Sequence, residues 1–358
     1  FVTPHHITYF FYTIEYLGYL PNCFYAILLK TQEQMMMYKA LRITETETGV
    51  NQTITELNLE ELDTHEVLVR VKYSALNFKD ALSATGNKGV TRKYPHTPGI
   101  DAAGVVERSS VDAFKVGDEV IVTSYDLGMN HPGAFSQYIS VPSHWVVPLP
   151  KNLTLKEAAA YGTAALTAAI GLDKLEKNGL QKGQNVVITG ATGAVGSVAV
   201  KLFSSAGYEV SGKADKKPFL QNLGAKEVIS REELDLDNKR PLLKPKYDAA
   251  FDVAGGPILE ALLKQIKPEG SVAICGLVGS PNLHTTVFPF ILNGINLLGI
   301  NSAEYPSNLR LPLWEKLSDE WKIDMGELMH EHSMDELLPL IHAMLAGKGV
   351  GRAVIKID

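Results

Sequence analysis

Hydrophobic and polar residues alternate in short runs from Tyr38 to about Pro150: YKALRIT, EVLVRVKYSALN, GIDAAGVVER, DEVIVTS, FSQYISVP and WVVPLP. Alternation with a period of two places one face of a strand in a core and the other in solvent, and turn signals such as PHTPG and KVGD separate the runs. The stretch predicts a β-rich, barrel-like domain. One short helix, NFKDALSATG, interrupts it.

After Lys151 the pattern changes. LTLKEAAAYGTAALTAAIGLDKLEKNG predicts one or two helices, and the apolar runs NVVITG, YEVSGKA, KEVIS, YDAAFDVAG, GSVAICG and NLLGINS then recur with helical segments between them. Strands alternating with helices imply a parallel, doubly wound sheet. Beyond about Ser302 the chain is helical again, in LRLPLWEKLSDEWK and MDELLPLIHAMLAG, and its closing run GRAVIKID is expected to return to the β-rich domain. The division expected from these patterns is 37–160 with 303–358 in one domain and 161–302 in the other. Residues 1–36 are read as an extension that the fold does not require. Their stretch ITYFFYTIEYLGYLPNCFYAILL is long enough for a membrane span, but Glu15 and Pro21 interrupt it, and neither a basic leader nor a small-residue cleavage site accompanies it. No membrane association is expected.

Composition narrows the function classes. The chain has 358 residues, 45% hydrophobic and 21% charged, with a net charge of −6; that balance suits a globular protein and argues against nucleic acid as a partner, which would need a basic surface. The two cysteines, Cys23 and Cys275, lack any CxxC spacing, so they build neither a disulfide framework nor a cysteine-rich zinc site. A reducing, cytoplasmic setting and no metal are expected. Ten histidines include no HExxH, and His330 and His332 in MHEH are read as a polar junction between a helix and a strand.

The strongest motif is NVVITGATGAVGSVAV, in which an apolar strand leads to Gly190, Gly193 and Gly196 and then to an apolar helix. Gly190 suits a tight turn, Gly193 the approach of backbone N–H groups to a pyrophosphate, and Gly196 close packing of helix on strand. The helix N-terminus adds partial positive charge. An unliganded βα turn is the alternative. Within a series of strands and helices the motif predicts a Rossmann dinucleotide site. At the end of the next strand stand Ser211, Gly212 and Lys213, where an NAD site usually has a carboxylate. A hydroxyl and an ammonium there favour NADPH, with Asp215 the nearest acid.

The ordered set YSALNFKDAL, PGIDAAGVV, GTAALTAA, ITGATGAVGSVAV, VSGK, VFPFILNGINLLGINS and GRAVIKI, from Tyr38 to Asp358, resembles the zinc-free YhdH/acrylyl-CoA reductase branch of the medium-chain dehydrogenase/reductase superfamily. That resemblance implies an α/β fold made of a GroES-like β-barrel catalytic domain and a Rossmann domain. Asn77 stands where the alcohol dehydrogenase branches open a metal site with cysteine. The resemblance carries NADP contacts onto Phe78, onto Thr192, Gly193, Ala194 and Val195 at the pyrophosphate, onto Ser211, Lys213 and Arg231 around the 2′-phosphate, and onto Leu277, Ile291 and Ser302 along the nicotinamide half. Three positions depart from the pattern: Phe78 replaces a frequent Tyr, Lys213 an Arg, and Ala165 a Gly.

The activity implied is NADPH-dependent reduction of the 2,3-double bond of an acrylyl-CoA-like thioester. Reduction of a quinone, or NADPH binding without turnover, are the alternatives. Candidate catalytic residues are Asn77, Lys79, Asp80 and Tyr125; each also has a plain structural reading, as a helix-stabilising pair or a buried phenol. His131 is a further candidate donor, and Lys88, Arg92 and Lys93 are candidates for CoA phosphates. A homodimer is implied, pairing through NLLGIN and PFILNG.

Overall fold

A computed structural model describes residues 36–212, 216–230 and 232–358. The extension, up to residue 35, with its long apolar stretch, lies outside the described residues, as do Lys213 and Arg231. The β-rich half begins with an antiparallel hairpin, β1 (Met37–Thr46) and β2 (Gly49–Asn58). β3 (Val67–Ala75) follows, then helix α1 (Phe78–Ala84), β4 (Asp101–Ser109), β5 (Glu119–Thr123), β6 (Tyr138–Val141) and β7 (Val146–Pro148). Alternation is visible at the start of β1, where Tyr38 and Ala40 are buried while Met37 and Lys39 face solvent.

Helix α2 (Leu155–Lys177) links the halves. Thr154 Oγ1 accepts from the Glu157 amide while Glu157 accepts from the Thr154 amide, a capping box that fixes its start. Gly162 breaks it with φ 44° and ψ −149°. Small buried residues, Ala158 to Ala160, Ala164, Ala165, Ala168 and Ala169, let the helix lie against β3, β4 and β5 at one end and against the second half at the other.

The second half alternates as its pattern predicts: β8 (Asn185–Ile188), α3 (Ala194–Ser205), β9 (Glu209–Gly212), α4 (Lys217–Asn222), β10 (Glu227–Val228), β11 (Tyr247–Asp252), α5 (Gly256–Leu263), β12 (Ile266–Ile274), α6 (Phe288–Asn293) and β13 (Asn296–Gly299). The six strands are parallel in the order β10-β9-β8-β11-β12-β13. This is the doubly wound order with its switch point between β8 and β11, where ligands of such sheets bind at the carboxyl ends.

Helix α7 (Ser307–Ser318), β14 (Met329–Ser333), α8 (Leu337–Leu345) and β15 (Arg352–Lys356) complete the chain. β15 pairs antiparallel with β3, Val354 opposite Ala75, so the last strand does return to the first half. The MHEH segment differs from expectation. It is itself strand β14, drawn into the sheet by parallel pairing with β15 that sets His332 opposite Ile355. Among the described residues no helix is long and apolar enough to cross a membrane.

Candidate active site

The glycine loop has the geometry its spacing implies. Gly190 has φ 60°, and a Cβ on Gly196 would lie 2.1 Å from the Gly190 oxygen, so loop and helix α3 meet only if position 196 carries no side chain. A Cβ on Gly193 would meet nothing in the chain nearer than 3.5 Å. Space at Gly193 is therefore left on the outside, beside Thr192, Ala194 and Val195, which are all partly exposed. No side chain caps α3 at Gly193. The first-turn amides are left for an external acceptor, and this cradle fits a dinucleotide's pyrophosphate. Thr189 braces the loop: its hydroxyl donates to Asp252 Oδ1 at 2.6 Å and accepts from the Val253 amide at 2.9 Å.

The end of β9 departs from expectation. Ser211 is only 2% exposed, and its hydroxyl donates to Asn185 Oδ1 at 3.1 Å, because strand alternation sets it on the same face as Asn185 of the neighbouring β8. Gly212 is buried beneath Leu220.

A cleft of about 630 Å³ opens at the carboxyl ends of β12 and β13, bordered by Leu277, Ile300, Asn301, Glu304 and Tyr305. Leu277 is 65% exposed there. Ser302, on the connector beyond β13, is half-buried and holds Arg310 through its carbonyl. Ile291 lies on α6, 67% exposed, and does not border this cleft. Phe78, at the start of α1, is 48% exposed despite its apolar ring.

Beneath Phe78 lies a buried polar network. Asp101 and Arg352, both fully buried, pair at 3.1 Å. Asn77 bridges them, its amide donating to Asp101 Oδ2 at 2.8 Å and its oxygen accepting from Arg352 Nη1 at 2.8 Å. The other Asp101 oxygen accepts from the Thr163 amide and hydroxyl, and a Cβ on Gly162 would strike Asp101 at 2.3 Å. Asp80 accepts from the Asn77 amide at 2.8 Å and from the Ile100 amide at 2.9 Å. Burial, and then the Asp101 charge, push its carboxyl up to about 7. Asn77 and Asp80 are thus brought together, but facing inward. Lys79, beside them, is half-buried with no ion pair to a described carboxylate.

Tyr125 is buried, does not border this cleft and is not placed as a proton donor. Its hydroxyl donates to Ser307 Oγ at 2.8 Å, since Ser307 in turn donates to the His144 carbonyl at 2.9 Å. Trp145 stacks on its ring at 5.4 Å. His131 gives its Nε2 proton to the Ser140 carbonyl at 2.7 Å, and burial pulls the ring below its ordinary pKa. Lys88 pairs with Glu45, while Arg92 and Lys93 are exposed. Sequence reasoning missed Asp101, Thr163, Arg310 and Arg352. A usable signal existed in three of them: Asp101 in GIDAAGVV, Arg310 in LRLPLW and Arg352 in GRAVI are lone charges inside apolar runs. Among the described residues no three His, Cys, Asp or Glu side chains gather as a metal site.

Residues 63–151 match the model for the alcohol dehydrogenase GroES-like domain, and 194–319 that for zinc-binding dehydrogenase. The chain is 41% identical over 328 residues to the Bacillus subtilis protein YhfP, named a quinone oxidoreductase, covering 90% of this chain and 99% of that one. The crystal structure of YhfP with NAD bound superposes with a TM-score of 0.87. Acrylyl-CoA reductase AcuI of Ruegeria pomeroyi is 40% identical over 329 residues, covering 90% of this chain and 100% of that one. The Salmonella enterica oxidoreductase yhdH, solved in complex with NADP, gives a TM-score of 0.86 at 34% identity, covering 89% of this chain and 100% of that one.

Proposed function

The chain belongs to the zinc-free medium-chain dehydrogenase/reductases, and from that premise we propose that it reduces the 2,3-double bond of acrylyl-CoA or a similarly short enoyl thioester, using NADPH. The observation that carries this reading is the outward-facing glycine cradle at the switch point of a chain similar along nearly its whole length to an acrylyl-CoA reductase. When bound, NADPH would supply the hydride that reaches the β-carbon, and a proton from solvent would then reach the α-carbon to complete the saturated thioester.

The chain's own residues do the rest. The α3 amides and the loop from Thr192 to Val195 hold the pyrophosphate, and Lys213 and Arg231 meet the 2′-phosphate, as the family resemblance implies. The Phe78 ring packs on the cofactor from the opposite wall, while Leu277 and the Ser302 connector line its reactive end. Lys79 follows Phe78 on α1, and its ammonium stabilises negative charge on the thioester oxygen. Asn77 and Asp80 hold α1 in place for it, and Tyr125 braces the connector after β13 through its amide bond to the Ala303 carbonyl. The exposed Arg92 and Lys93 meet the CoA phosphates.

The same reading divides the chain into 37–160 with 303–358 and 161–302, sets it in the cytoplasm, and pairs two copies across β13. Exposed Val287, Phe288, Ile291 and Leu292 beside that edge strand supply an apolar surface for the pairing.

Loss of NADPH absorbance is to be followed with acrylyl-CoA, crotonyl-CoA and a benzoquinone side by side, with NADH as control. Turnover confined to acrylyl-CoA and NADPH is expected; turnover with the quinone alone replaces the thioester by a quinone. Lys213→Ala is expected to raise KM for NADPH about tenfold and leave that for NADH unchanged, through loss of the charge on the 2′-phosphate.

A further inference from the structure

Arg310, on α7, is 1% exposed and directs all its N–H groups to neutral acceptors. Nε donates to the Tyr305 carbonyl at 2.8 Å, Nη1 to the Thr123 carbonyl at 2.8 Å and the Thr123 hydroxyl at 3.1 Å, and Nη2 to the Ser302 and Ala303 carbonyls at 2.9 and 2.8 Å. The guanidinium also lies over the Tyr125 ring, 3.9 Å from its centroid. It forms no ion pair with a described carboxylate.

A cation buried without a direct ion pair is a poor way to fill a core, since an apolar side chain of similar volume avoids the desolvation cost. What the guanidinium supplies is geometry. Thr123 ends β5 in the barrel-side sheet, whereas Ser302 to Tyr305 form the connector leaving β13 in the Rossmann sheet. The planar fork therefore ties the ends of two sheets together beside the cleft, a role a lysine's point charge does not reproduce.

A second observation lies at the same junction. Ser124 and Tyr125, neither of them glycine, adopt left-handed backbone with φ 62° and 52°. The Tyr125 amide donates to the Ala303 carbonyl at 3.0 Å, the same connector again. Backbone of this kind persists only where the surroundings over-determine it, and such sites cluster at ligand clamps. The connector is also a cleft wall, through Asn301, Glu304 and Tyr305.

We propose that Arg310 is a positioning residue for the reaction: it locks the 302–305 connector against β5 and so fixes the cleft wall that sets the approach of the cofactor's reactive end to the substrate. The inference rests on the reductase reading above for its kinetic consequence alone. Arg310 touches neither reactant, and its effect passes through the wall. Misplacement of reacting groups by a fraction of an ångström is enough to lower a rate markedly.

The test uses Arg310→Lys in the full chain, with amide hydrogen exchange of the 301–309 segment, NADPH affinity by fluorescence, and single-turnover oxidation of NADPH by acrylyl-CoA. Exchange in that segment is expected to rise about tenfold with the Rossmann strands unchanged, and the single-turnover rate to fall about tenfold with Kd altered less than about threefold. Segment exchange and rate both within about twofold of wild type overturn the proposal, as does a uniform rise in exchange along the chain, which marks a purely structural residue. If the lysine variant does not fold, Thr123→Val removes a single acceptor and is expected to give about a threefold change in both readouts; no change overturns the proposal. A wild type that turns over no acceptor sinks the reductase reading instead, and connector exchange with NADPH bound and free then decides the clamp by itself.

Discussion

On the Rossmann side of the proposed cofactor site the chain faces outward with backbone: Gly190 and Gly193 are exposed, and α3 begins without a side-chain cap. On the barrel side Asn77, Asp80, Asp101 and Arg352 are buried, and their polar groups bond one another or nearby backbone. One wall leaves donors unmatched for a ligand to complete, and the other has completed itself. Binding should therefore be sensitive to added atoms on the first wall, and folding to removed atoms on the second.

The largest expected effect lies in the buried network. Arg352→Met leaves the Asp101 carboxylate in the interior with only Asn77 and Thr163 to bond it, and breaking one partner of a buried pair typically costs about 3–5 kcal/mol. Urea unfolding of the variant measures this. A loss below about 1 kcal/mol would mean that the network is open to water and that the comparison between the walls fails.

Next comes pH. The Asp80 carboxyl, raised to about 7 in the folded state against an ordinary value of 3.8, keeps its proton between those values while the unfolded chain loses it. The folded state binds more protons in that window, so the Asp80 contribution is fully present below about pH 4 and is lost as pH rises toward 7. Buried His96, pulled down to about 4, acts in the opposite sense, since its unfolded form takes up protons first as pH falls below 6.5. The difference between wild type and Asp80→Asn isolates the carboxyl. Stability of the wild type relative to the variant is expected to decline by a few kcal/mol from pH 4 to pH 7, at about 1.4 kcal/mol per pKa unit, and a flat difference would refute the assignment.

The two walls also differ in how far they were legible in the sequence. Gly190, Gly193 and Gly196 lie within seven consecutive residues, and the physics that requires each is local: a turn, a close approach and a helix start. The barrel network joins residues separated by 24, 251 and 275 positions, so its partners are fixed only by strand pairing. Asn77, Lys79 and Asp80 are legible together at one short helix, with Lys79 and Asp80 as the expected pair, but the structure turns Asp80 inward onto the Asn77 and Ile100 amides instead. Alternation in YEVSG located strand β9 correctly, yet one step of register decides whether Ser211 meets a ligand or the sheet, and a four-residue strand carries too few residues to settle that from pattern alone.

Two glycine substitutions sharpen the contrast on the nucleotide side. Gly196→Ala forces a Cβ to 2.1 Å from the Gly190 oxygen, so both stability and NADPH affinity fall, the latter at least about tenfold. Gly193→Ala has backbone angles any residue adopts and no contact in the chain nearer than 3.5 Å. Its stability should stay within about 0.5 kcal/mol of wild type while NADPH affinity drops, because the new methyl faces only the ligand. Calorimetric titration and thermal unfolding of the same samples separate the two. Unchanged affinity in Gly193→Ala would place the pyrophosphate elsewhere.

The smallest effect is expected at Ser211, and it decides between the reading from sequence and the geometry. If the hydroxyl reaches the adenosine 2′-phosphate, Ser211→Ala removes a charge-assisted bond and shifts preference toward NADH by about tenfold. The hydroxyl instead donates to Asn185 Oδ1 across the parallel β8 and β9 pair. Its removal should then cost about 1 kcal/mol of stability and leave the ratio of KM for NADPH to KM for NADH within about twofold. Steady-state kinetics with the two cofactors measures that ratio directly, and an unchanged ratio assigns discrimination to the residues beyond the strand end, Lys213 first among them.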